Sequence, residues 1–91
     1  METRIALIGI IVENKDSVEK INSILHEYGE HIVGRMGVPY KPKNVSVISV
    51  IMDAPNSVIS ALSGKLGMIP HVNVKTVYSK ISETLEMQDT P

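Results

Sequence analysis

The sequence predicts an α+β domain in which a four-stranded antiparallel sheet carries two helices on one face. Three observations predict it. Stretches of strand-like and helix-like periodicity follow one another as strand, helix, strand, strand, helix, strand. Two of the strands are apolar on both alternating sets, so both of their faces must be covered. Hydrophobic residues make up 43% of the chain but aromatics only 3%, with no Phe or Trp. The core is therefore built from Ile, Val and Leu, and the β-branched types among them suit strands.

Residues 4–13 (RIALIGIIVE) form the first strand. Ala6, Ile8, Ile10 and Val12 fall on one face, and Ile5, Leu7 and Ile11 on the other. Gly9 is expected to permit close approach by a neighbouring element. The apolar run after Arg4 also invites reading as a secretory signal. Glu2 interrupts the basic region such a signal needs, and Glu13, Asn14 and Lys15 stand where small cleavage-site residues belong. The run is also far short of the roughly 20 residues of a membrane helix.

Over residues 14–31 the period changes. Val18, Ile21, Leu25, Tyr28 and Ile32 step by three and four along one helical stripe. Asp16 followed by Glu19 resembles a capping box, with Asn14 as a rival cap, and Gly29 weakens the last turn. Residues 32–40 (IVGRMGVPY) hold two glycines and Pro39. Proline cannot donate to a ladder, so this is an edge strand. Residues 41–44 make the turn into the strand at 45–52. There Val45, Val47 and Ile51 alternate with Ile48, Val50 and Met52.

Residues 53–56 (DAPN) open the second helix, with Pro55 near its first position. Val58, Ile59, Leu62 and Leu66 form its buried stripe, and Gly67 is placed to end it in the left-handed conformation. In residues 72–79, Val72, Val74, Thr76 and Tyr78 alternate with Asn73 and Lys75. Residues 81–91 are polar and acidic, and are expected as a frayed or helical tail in which Ile81 and Leu85 dock weakly. The expected organisation is one domain over residues 1–80 followed by this tail. The element order βαββαβ is the ferredoxin-like, split βαβ pattern. Right-handed crossovers put both helices on one face, with the first and third strands central and the second at an edge.

A chain of 91 residues holds one domain. Its 9 basic and 10 acidic residues give a net charge of −1, which points away from a free-standing nucleic-acid binder or a polybasic membrane anchor. With no cysteine there is no disulfide framework, thiolate metal site or cysteine nucleophile, and the cytoplasm is the expected compartment.

Two helices cover one sheet face, and only a polar tail remains for the other. The uncovered apolar patch would reach several hundred Å², more than a soluble monomer usually exposes. Self-association is therefore expected, as a dimer or a dimer of dimers, through sheet faces or edges. The alternative is that the tail folds back as a cover.

The chemistry-bearing residues form few patterns. His26, His31 and His71 make neither an H-x-H nor an i, i+4 pair, which leaves open only a metal site shared between copies through His71 or His31. Ser63-Gly64-Lys65 is not a phosphate loop, because position 59 is Ile and position 66 is Leu. Ser60, Ala61, Ser63 and Gly64 read instead as a small-residue patch, either letting the helix approach a neighbour or rimming an effector pocket. Glu19, Glu27 and Glu30 belong to a solvated helix face, and Glu83, Glu86 and Asp89 to the tail. With no G-x-S-x-G elbow and no nucleophile–base couple, an enzyme is not expected. Arg35, Lys41, Lys43, Lys65 and Lys75 read as solvated strand ends, since only Tyr40 and Tyr78 are near enough to stack on a nucleic acid.

Three segments carry a family resemblance: residues 34–40 (GRMGVPY), 61–67 (ALSGKLG) and 72–76 (VNVKT). Together they resemble the small proteins known as regulators of the iron-only hydrogenase system, over nearly the whole of residues 4–78. The resemblance implies a ferredoxin-like fold similar to ACT domains and to the C-terminal domain of the nickel-responsive repressor. It implies a regulatory or ligand-sensing homo-oligomer, with no cofactor and no reaction. The expected partners are a second copy and a small effector or a protein, with neither direct nucleic-acid nor membrane contact.

In ACT-like domains effectors often bind near the loop after the first strand, which here is residues 13–16. That loop lacks the glycine common in amino-acid-binding members, which argues against an amino-acid effector. Nickel binding does not carry over either, for want of an H-x-H and a cysteine. His71 stands where this family leads one to expect glycine. The motifs mark Arg35, Met36, Gly37, Tyr40, Gly64, Lys65, Gly67 and Lys75 as effector or interface positions. The alternatives are a metal-responsive sensor and a DNA-associated transcriptional regulator.

Overall fold

The alternation that makes residues 4–13 a strand also decides which side of the sheet becomes the core. In the computed structural model, which describes residues 2–80, β1 (Arg4–Val12) buries Ala6, Ile8, Ile10 and Val12 and leaves Ile5, Leu7 and Ile11 on the opposite face. It pairs antiparallel with β3 (Val45–Ala54) on one side and β4 (Val72–Tyr78) on the other. The edge strand β2 (Ile32–Tyr40) joins β3, giving the order β2-β3-β1-β4. The expected central pair and the expected edge are thus the observed ones, and the fold is ferredoxin-like. Pro39 lies opposite Ser46 on the edge strand, where a missing N–H is tolerated.

Helices α1 (Val18–Glu27) and α2 (Asn56–Gly67) pack on the even-numbered face of β1. Ile21 and Leu25 from α1, and Ile59, Leu62 and Leu66 from α2, close on Ile8, Ile10, Ile48, Val50 and Met52. No aromatic ring is fully buried; Tyr28 and Tyr78 pack at the margin. Three contacts tie the periphery. Arg4 Nη2 donates to the Ser79 carbonyl at 2.6 Å, with its guanidinium 4.7 Å from the Tyr78 ring centroid. The Ser63 and Thr76 hydroxyls meet at 3.0 Å and join α2 to β4. The Glu13 N–H donates to the His71 carbonyl at 2.9 Å.

Several local expectations are corrected. The segment expected as one helix over residues 14–31 is split, with a 3-10 turn at Lys15–Ser17 before α1 and another at Gly29–His31 after it. The capping box is not formed. Asn14 is the cap, its Oδ1 accepting the Asp16 N–H at 2.9 Å. Asp16 lies inside the 3-10 turn, two residues past the position that caps it, and its own N–H is the group that Asn14 satisfies. Gly67 is the last helical residue and no glycine has positive φ; the left-handed residues are Asn44 (φ 56°) and His71 (φ 64°). The chain leaves α2 through Met68 in a right-handed conformation and turns four residues later than a Gly67 cap would require. Gly9 makes no close approach either, since an added Cβ would meet only the Lys75 carbonyl oxygen at 3.9 Å, an ordinary contact. The tail expected at 81–91 lies outside the described residues.

Candidate functional site

The register brings the odd-numbered residues of β1 into line with their neighbours on the helix-free face. One row runs Val38, Val47, Ile11, Asn73, and another Gly34, Ile51, Leu7, Val77. Between them lies Met36, Ser49, Gly9, Lys75. Two apolar ridges thus flank a trough floored by a glycine and a serine. Ile5 and Tyr40 extend the face at opposite ends. The large apolar side chains on this face are 42 to 63% exposed. They present on the order of 700 Å², above the patch of a typical monomer and near the ~800 Å² each partner contributes to a standard interface.

A second feature lies at the other surface of the sheet, where edge strand β2 meets α1. One hollow of about 240 Å³ is bounded by Val12, Lys15, Pro39, Tyr40, Lys41 and Ser46. An adjoining hollow of about 240 Å³ is bounded by Val18, Asn22, Arg35, Gly37, Pro39 and Ile48. Pro39 and Ser46 line both, so the two form one bent groove. The alternation of β2 explains its lining: Arg35, Gly37 and Pro39 fall on the helix side, and Gly37, with no side chain, leaves space between β2 and α1 unfilled. Arg35 Nη2 donates to Asn22 Oδ1 of α1 at 2.6 Å and closes one end.

The positions marked from sequence are divided among three places. Arg35, Gly37 and Tyr40 line the groove. Met36 and Lys75 stand at the two ends of the trough on the open face. Gly64, Lys65 and Gly67 lie on the outer surface of α2. An added Cβ at Gly64 or Gly67 would meet nothing within 4 Å, so no described element presses on α2 at these two glycines, while Ser63 of the small-residue patch meets Thr76 of β4. Lys65 lies 3.4 Å from Glu27 Oε1 and 5.2 Å from the centroid of the Tyr28 ring. A side-chain hydrogen bond with Tyr28, then the hydrogen bond and charge of Glu27, hold its ammonium above the ordinary lysine pKa. Sequence reasoning missed Lys15, Asn22 and Ser46. Lys15 was within reach, because it lies in the loop after β1 that the family resemblance singles out.

Among the described residues no three His, Asp or Glu side chains gather as metal ligands. No helix among them is long and apolar enough to cross a membrane.

Fold and site define a small ferredoxin-like module with a sheet face that no described element covers and a groove beside its edge strand. The chain belongs to the family described as "TM1266-like: Iron-only hydrogenase system regulator, putative", whose model matches residues 4–76. It is similar to the solved structure of uncharacterized protein TM1266 from Thermotoga maritima, with 38% identity and a TM-score of 0.83. That match covers 87% of this chain and all of the other. No curated protein matches.

Proposed function

We propose that this chain is a non-catalytic regulatory module of the iron-only hydrogenase system that works as a homo-oligomer and responds to a small effector held in the groove. The open sheet face carries the reading. Burying a large aliphatic side chain contributes roughly 1.5–3 kcal/mol, so an exposed face of this size is a strong incentive to associate. A second copy packs its own ridges against these, and the trough at Gly9 and Ser49, which no described residue fills, receives them. Tyr40 and Val45 stand where the groove meets the open face. A docked copy therefore rims the groove, and occupancy of one site can bias the other.

The test is genetic and biochemical together. The host gene is deleted and complemented with the wild-type chain or with Ile51→Glu, while iron-only hydrogenase activity and transcripts are measured. Deletion is expected to change both, the wild type to restore them, and a folded, monomeric Ile51→Glu chain to fail. Full restoration by that monomer overturns the reading.

A further inference from the structure

The chemistry of the groove narrows what it can hold; this inference rests on the effector reading above. Lys15 and Lys41 line one hollow and Arg35 the other, and no carboxylate lines either. The described residues give Lys15 and Lys41 no ion pair, and the one side-chain hydrogen bond of Arg35 goes to the neutral amide of Asn22. Three cations therefore converge on one concavity in a chain whose net charge is −1. The carboxylates of Asp16 and Glu19 line an adjoining hollow along α1 that shares Lys15, Val18 and Asn22 with the groove, so two carboxylates border the groove without lining it.

Concave, partly apolar walls strengthen the field of the charges they hold. Asn22 fixes one arm of the Arg35 guanidinium and leaves the rest of its fork to grip a planar or tetrahedral anion. The floor beneath Arg35 is apolar, through Val18 and Ile48. We infer that the groove binds a small organic polyanion, a molecule bearing phosphate or carboxylate groups, with one anionic group on Arg35, another on Lys15 and Lys41, and its body against Pro39.

The experiment titrates the full-length protein by calorimetry and by amide chemical shifts, using pyrophosphate, citrate and leucine as separate probes at low ionic strength. Binding of pyrophosphate or citrate is expected, with shifts centred on residues 35–41 and 46, and preference between the two assigns phosphate or carboxylate as the natural group. Arg35→Gln and Lys41→Gln should each weaken that binding about tenfold. Lys20→Gln, on the exposed face of α1, should leave it unchanged, and all variants should melt as the wild type does. Equal weakening by Lys20→Gln overturns the inference, because the attraction is then diffuse charge. Leucine binding in the groove without either polyanion overturns the anionic class and leaves the effector reading standing. Silence to all three probes removes both.

Discussion

Replacing His71 with glycine should make this protein more stable. His71 joins the end of α2 to β4 with φ at 64°, and its carbonyl accepts the Glu13 N–H, which fixes the backbone in that conformation. A left-handed backbone costs an L-residue roughly 1–2 kcal/mol, with His among the more tolerant types. Glycine removes that cost but adds freedom to the unfolded chain, roughly 0.4–1 kcal/mol in the other direction. The net gain expected for His71→Gly is about 0.5–1 kcal/mol, or a rise in Tm of roughly 2–8 °C for a domain of this size. His71→Val places a β-branched residue at the same φ and should lose about 1–2 kcal/mol. The side chain of His71 is exposed, so neither change removes core packing. Urea unfolding at one fixed protein concentration reads both, since association would otherwise shift the midpoint. A lower midpoint for His71→Gly together with an unchanged one for His71→Val would refute the backbone argument.

Three further outcomes follow from the same geometry. Gly67→Ala should gain about 0.5–1 kcal/mol in urea unfolding, because position 67 is helical with open space around it; a loss would mean that the helix ends there in a left-handed turn after all. Asn14→Ala should cost about 0.5–2 kcal/mol, whereas Asp16→Ala should not, since only Asn14 caps. The raised pKa of Lys65 means that its contacts with Tyr28 and Glu27 contribute below its ordinary pKa and are lost as pH rises through the higher folded value. The stability difference between wild type and Lys65→Met should therefore be constant from pH 6 to 9 and shrink only in the alkaline limb; a difference already titrating near pH 7 would contradict it.

Much of the fold was legible because its signals are local. Two-sided apolar alternation marked β1 and β3 as central, Pro39 marked β2 as an edge, and the β2 limits at Ile32 and Tyr40 were read as observed. What escaped was decided by geometry that spacing does not carry. Asn14 and Asp16 are both good caps two residues apart, and the choice between them depends on where β1 releases the chain. Gly67 has the right identity for a helix stop, but Ile69 reaches back into the core and carries the turn on to His71. The groove joins Asn22 to Arg35 and Lys15 to Lys41 across two elements. Only the fold brings those pairs together, so the motif segment 34–40 signalled half of the groove and not its other wall.

The open face is tested most directly by the mass of the untreated protein in solution, measured by light scattering or sedimentation equilibrium at micromolar concentration. The account predicts a single species of at least twice the 10.0 kDa chain mass, falling to the chain mass when Ile51→Glu is introduced. A wild-type protein that stays at 10.0 kDa with its sheet face wet would contradict it.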